Sequence, residues 1–441
     1  MPRAAREVSP TLLLSFALGL TTLAFIIAKT GRDALFFQGS GGLLQLPLIY
    51  VNIAAASLPL AMGFVKAMKT WGARPARLGL LLGAATVLAV AAPFLEPGDN
   101  WLLLATFMFI PAIFGLLFAS LWLLASDIFE TTEKTLAARA FSNIGAATLA
   151  GGTAGGFLAK ALSPHVEAKW LILIAALILF AVAVLVQRIH HRFPSRRGAA
   201  SGADKKTGFL APLGNKYALV LLLISMSGAL AGLLIDFQFY AAAASARMGS
   251  KGNANFFANF YILLNLSSLF LQLFATPKIQ QKIGLRGGLM VLPFALVGGA
   301  TFVTAAATAF SRSVLRVTEG GLRASVHRSI WEQAFIPVDS AERSSVKIAV
   351  DGIAARIAEA IGALAILFWL RRAAPNGVIT MPLDTHWMSW ALLATVAVWL
   401  TITQRLGAQT KQEKTAATPE PDCERFPDQC PCTTELGKNI N

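Results

Sequence analysis

Cysteine is nearly missing from this chain. Its 441 residues include three, Cys423, Cys430 and Cys432, all in the C-terminal tail, so no disulfide framework holds the fold together. Their Cys-x6-Cys-x-Cys pattern lacks the fourth ligand of a structural zinc site, and a disordered tail is expected over 406–441. Charge is scarce too: 14% of residues are Asp, Glu, Lys or Arg, against about 25% in soluble domains. Catalytic signatures are also wanting, with no H-E-x-x-H, no G-x-S-x-G and no phosphate loop, so the chain does not read as an enzyme. The pair His190-His191 lies in a basic stretch and reads as a solvated interfacial pair, and no metal and no cofactor is expected.

What is abundant is apolar sequence. Hydrophobic residues make up 55% of the chain, and the mean hydropathy is +0.61. This is the composition of a polytopic helical membrane protein. At about 20 apolar residues per span plus short loops, the length admits about ten to twelve helices. The first six are expected near 11–37, 43–65, 78–94, 101–129, 140–162 and 170–187, and the second six near 216–242, 254–275, 289–309, 313–334, 346–370 and 387–402. The tenth is barely hydrophobic, and a hydropathy scan would miss it. The first span runs straight into Lys29 and Arg32 without a cleavage site, which distinguishes it from a removable signal peptide.

The spans divide into an N-terminal six-helix half (1–187), a linker rich in Arg, His, Ser and Gly (188–215), a C-terminal six-helix half (216–405) and the tail (406–441). Two correspondences point to duplication. The basic turn Lys66-x2-Lys69-x2-Gly72-x-Arg74 has a counterpart in Lys278-x3-Lys282-x-Gly284-x-Arg286, and Asp33-Ala-Leu-Phe-Phe37 has one in Asp236-Phe-Gln-Phe-Tyr240. Parallel six-helix repeats are the plan of the major facilitator superfamily, an all-α fold of about twelve transmembrane helices. The net charge of +15 collects in loops on one side, which belongs to membrane orientation and not to nucleic acid. By that rule both termini and the linker face the cytoplasm of a bacterial inner membrane, whereas the Glu96–Asp99 loop, which has no base, faces outward. Arg371-Arg372, on the expected outer side, runs against the rule.

Charged residues inside the spans are the candidate functional groups, because such charges are costly and usually face a protein interior or a water-filled cavity. Lys29, Arg32, Asp33 and Phe36 fall at i, i+3, i+4 and i+7 on one face of the first helix. If that helix instead ended at Lys29, the same residues would form a solvated interfacial cluster. Helix 10 carries Glu319, Arg323 and His327 at i, i+4 and i+8, with Arg316 one turn earlier; helix 11 offers Asp351 and Glu359, with Arg356 near the latter. Asp127 and Glu130, at the inner end of helix 4, are placed as a gate. In helix 5, Thr148, Gly152 and Gly156 stand four apart, a spacing of small residues that lets helix backbones approach closely.

The chain resembles the ATP/ADP translocase-like nucleotide exchange family. The pieces that carry the resemblance are Arg32-Asp33-Ala-Leu-Phe36, Trp122-Leu-Leu-Ala125-Ser-Asp127-Ile-Phe129, the glycine-rich helix 5, Asp236-Phe-Gln-Phe239, Asn265 to Leu273, and Glu319-Gly-Gly-Leu-Arg323 with Asp351-Gly352. The resemblance implies major-facilitator-like architecture and the import or exchange of nucleotides or similar phosphorylated anions. In those exchangers a lysine-containing motif near the first helix matters for transport; here Arg32-Asp33 stands at that place.

The expectation is therefore a secondary active transporter working by alternating access in the lipid bilayer as a monomer, with a small organic anion as its partner. Lys29, Arg32 and Arg323 are the expected anion ligands, and Asp33, Asp236, Glu319, Asp351 and Glu359 the coupling or gating acids. Gly152 and Gly156 are the expected packing sites. Two other readings stay open: a proton-coupled carrier of an unrelated small solute, and a membrane scaffold or receptor that has lost transport.

Overall fold

The structure is a computed structural model that describes residues 9–37, 42–97, 101–129, 134–193, 215–245, 249–335, 338, 346–373 and 386–416. The tail cysteines, Glu130, Asp99 and most of the linker lie outside the described residues. The N-terminal half contains α1 (Pro10–Phe36), α2 (Gly42–Trp71), α3 (Ala73–Ala91), α4 (Trp101–Phe129), α5 (Lys134–Leu162) and α6 (Ala168–Arg192). The C-terminal half starts with α7 (Lys216–Ser245) and α8 (Gly249–Phe270), which continues through a π turn at Leu271–Ala275 into α9 (Thr276–Ala305). Helix α10 joins Ala309–Leu322 to Arg328–Gln333 through a second π turn at Arg323–His327. Helix α11 opens on a third, Ile348–Ala354, and runs on through Ala355–Ala373; α12 is His386–Ala416.

Local chemistry explains where several of these helices begin and turn. Ser9 caps α1, its hydroxyl accepting from the Leu12 N–H at 3.2 Å, with Pro10 at the first helical position where a missing N–H costs nothing. The two basic turns share one backbone device. Gly72 (φ 91°) separates α2 from α3, and Gly284 (φ 68°) kinks α9 near the start of the candidate span Lys282–Ala305. Both turns need the left-handed region that glycine enters without penalty. Arg371 and Arg372 occupy the last turn of α11, where cations complement the carbonyl end of a helix, and Arg372 lies 4.6 Å over the Phe368 ring.

Ten helices among the described residues are long and apolar enough to cross a membrane, and they leave out α5 and α10. Helix α10 buries its polar face, Glu319 and Arg312 included, while Phe310 faces out, so low hydropathy here marks an interior helix. Helix α5 is built from small residues and is wedged between the halves. A Cβ on Gly151 would sit 2.1 Å from the Gly19 carbonyl oxygen of α1, and one on Gly155 2.7 Å from that of Leu23. On the other side of α5, a Cβ on Gly152 would sit 2.3 Å from Asn265 Oδ1 and one on Gly156 2.6 Å from the Ile262 side chain, both in α8. Helix α1 is the central rod of its half, packed by α4, α5, α6 and α8.

Helix α6 extends to Arg192, taking in residues expected in the linker. His190 is consequently buried, not solvated as expected, because it falls on the inner face of that extension; His191 remains exposed, its Nε2 2.7 Å from Arg74 Nη2.

Candidate functional site

A cavity of about 320 Å³ opens inside the C-terminal half, walled by α7, α10 and α11, with Tyr50 of α2 closing it from the other half. A line of ion pairs crosses it. Asp236 on α7 lies 2.5 Å from Arg316 on α10; Arg316 also binds Glu319, and Glu319 in turn binds Arg323 one turn further along. Arg323 then donates to the Gly228 carbonyl at 2.8 Å, and its side chain stays 36% exposed to the cavity. Gly232 makes the room: a Cβ there would lie 3.4 Å from Arg323 Nη2 and 3.6 Å from Glu319 Oε1. Glu359 reaches the cavity from α11, paired with Arg356 at 2.6 Å, and Asp351 accepts from the Trp331 indole N–H at 2.7 Å. The expected residues Asp236, Glu319, Arg323, Asp351 and Glu359 are thus brought from three helices to one space.

Arg32 and Asp33 lie elsewhere. Both are buried, at 3% and 0% exposure, and they are bonded to one another: Arg32 Nε and Nη2 donate to Asp33 Oδ1 at 2.8 and 2.5 Å. The guanidinium also donates to the Phe107 carbonyl at 3.3 Å and covers the Phe107 ring at 3.9 Å. Arg32 therefore does not line the cavity as an anion ligand in this conformation, because its charge is neutralised by its neighbour and its face is capped by an aromatic ring. The second oxygen of Asp33 accepts from two hydroxyls of the opposite half, Tyr261 of α8 at 2.6 Å and Tyr240 of α7 at 3.3 Å. Phe37 stacks on Tyr240 at 4.6 Å, with the rings 14° from parallel. This is a latch between halves at the end of the bundle where α1 finishes.

Lys29, one turn before Asp33 on α1, is not one of the residues that line the cavity. It is half-buried, its ammonium 4.7 Å over the Tyr261 ring and 5.9 Å over that of Phe25. Among the described residues it has no carboxylate within ion-pair distance. At the opposite end of the bundle, Arg77 of α3 and Asp127 of α4 are paired at 2.7 Å, their side chains 1% and 7% exposed.

The tyrosines are functional residues that stand outside the charged pattern of the spans. The chain has four tyrosines against 29 phenylalanines. Tyr240 and Tyr261 hold Asp33, Tyr50 closes the cavity, and Tyr217 donates to the Ala334 carbonyl at 2.7 Å. The available signal was that scarcity: a hydroxyl retained in an apolar helix otherwise filled with phenylalanine has a polar partner to meet.

No family model matches the chain, and no curated protein matches it. Solved structures do. A single-site mutant of the nucleoside transporter NupG superposes with a TM-score of 0.64 over 90% of this chain and 100% of that one, at 13% identity. The POT family transporter PepTSo gives a TM-score of 0.63 over 90% and 98% of the two chains, at 12% identity. The fold is major-facilitator-like. At such identities the likeness extends to the arrangement of helices and no further, so what the cavity handles has to come from its own residues.

Proposed function

We propose that this protein is a secondary active transporter that moves an organic anion across the membrane by alternating access. The observation that carries the reading is the ammonium of Lys29, which has no carboxylate within ion-pair distance among the described residues, in an interior whose other central cations, Arg32, Arg316 and Arg323, all have carboxylate partners. An uncompensated cation at membrane depth is costly, and an anionic cargo supplies the missing charge. Arg323, partly exposed to the cavity, is the second ligand: its planar fork suits a carboxylate or phosphate. Arg32 passes from anion ligand to structural lock. Its bond to Asp33, together with the two tyrosine hydroxyls, closes one end of the path, and breaking those hydroxyl contacts would let the halves part there.

The resemblance to the ATP/ADP translocase-like family favours nucleotides or other phosphorylated solutes, exchanged against a counter-substrate, as the finer reading. The basic turns and linker favour a bacterial inner membrane with both termini in the cytoplasm. A thermal-shift panel of purified protein against ATP, ADP, nucleosides, inorganic phosphate and non-phosphorylated organic acids tests the class. A ligand at a hundred times its Kd adds about 2.7 kcal/mol of apparent stability. The anions are expected to raise the melting temperature of the wild type and not of Lys29→Ala. Nucleosides acting as well as nucleotides, or equal shifts in Lys29→Ala, would remove the anion reading.

A further inference from the structure

Pairing off the interior charges leaves a second group over. Of the four acids around the cavity, Asp236 is held by Arg316, Glu319 by Arg316 and Arg323, and Glu359 by Arg356. Asp351 has no cation within ion-pair distance among the described residues; its one bond there is the neutral indole N–H of Trp331. The charged and titratable groups that face it are accounted for. From α10, Arg328 binds Glu332 at 2.8 Å, and Lys347, one turn before Asp351, binds that same Glu332. His327 is stacked on the Trp331 ring at 5.8 Å, with the rings 17° from parallel, and its Nδ1 is buried without a partner among the described residues. Asp236 of α7 and Tyr50 of α2 share the cavity without bonding to Asp351. The nearby cations are thus committed to another acid, and Asp351 is left with a neutral donor.

A carboxylate without a counter-charge inside a membrane bundle is as costly as the unpaired ammonium, and a proton is the smallest ligand that removes the cost. Its backbone setting fits such a role: Asp351 sits on the π turn Ile348–Ala354, an irregularity that recurs at functional sites, and the cavity gives it a route to water. We infer that Asp351 is a proton-binding site of this cavity. The inference rests on the reading of the cavity as a transport path. With an anion on Lys29 and a proton on Asp351 the loaded interior has no unpaired charge, so the fully loaded carrier crosses more readily than one carrying either alone.

Infrared titration of the full-length protein in lipid vesicles tests this without any cargo. In the wild type a protonated-carboxyl band grows as the pH is lowered from about 8 to about 6, a range in which water-exposed aspartates stay ionised, and it shifts when the protein is made with carbon-13 aspartate. In Asp351→Asn that band loses its whole amplitude. In Asp351→Glu, which keeps a carboxyl group and so guards against a folding defect, the band persists but no longer answers to the aspartate label. A titrating aspartate band that survives both substitutions would overturn the assignment, as would its absence from the wild type. If instead no anion stabilises or crosses with the protein, the proposed transport fails while this titration remains readable.

Discussion

Asp33 makes more directed bonds than any other acid near the centre, and it ties together residues far apart in sequence. It neutralises Arg32 within its own helix and accepts two hydroxyls from the other half. Removing one partner of such a buried pair leaves the other uncompensated, at about 3–5 kcal/mol. Asp33→Asn and Arg32→Ala are therefore both expected to lower the melting temperature sharply, and a combined Arg32→Met, Asp33→Leu protein to be less unstable than either single variant. Two single variants that melt like the wild type would show the pair to be incidental. Under the proposed alternating access, the tyrosine hydroxyls on Asp33 are expected to bear on opening more than on folding. Tyr261→Phe forfeits about 1 kcal/mol and so shifts a closed-to-open balance about fivefold. Thiol labelling at Ala254→Cys, a buried position two turns before Tyr261 on α8, in a protein without the tail cysteines, is expected to quicken accordingly.

The glycine helix decides how closely the halves can sit. Gly151 faces α1 and Gly152 faces α8, whereas a methyl group on Gly145, earlier on the same helix, would meet nothing within 4 Å among the described residues. Gly151→Ala must push backbone apart, since the obstacle is a carbonyl oxygen 2.1 Å away. Gly145→Ala is expected to express and melt as the wild type, and Gly151→Ala, Gly152→Leu and Gly156→Leu to lose folded protein in size-exclusion profiles. Equal behaviour across the four would dismiss α5 as a spacer. Elements of this kind were legible in the sequence, because helix length and small-residue spacing are local properties; α10, too polar for hydropathy, was still expected at 313–334 and carries its charges at helical spacing. The fate of the charges on those helices was not legible. Whether Arg32 looks into a cavity or into its neighbour depends on Phe107, which meets Arg32, and on Tyr261, which holds Asp33, and the folded bundle alone brings both there.

At the scale of the whole molecule, the two halves turn on matching glycines, Gly72 and Gly284, and meet along α1 and α5 against α8 and along α2 against α11. The proposed alternating access would expose the path to one compartment and then the other, so the orientation of the chain matters. Reporter fusions at Arg196 and after Lys414 are expected on the cytoplasmic side and a fusion near Asp99 on the other. The same compartment for Arg196 and Asp99 would break the span count of the first half.

The central claim, that Lys29 and Arg323 hold an anion in transit, is tested most directly by uptake of labelled ATP and inorganic phosphate into vesicles preloaded with unlabelled anion. Wild type, Lys29→Ala and Arg323→Lys would be compared at matched incorporation. The account predicts counterflow in the wild type, its loss in Lys29→Ala, and partial recovery in Arg323→Lys, which keeps the charge but not the two-pronged grip. Normal counterflow in Lys29→Ala would contradict it.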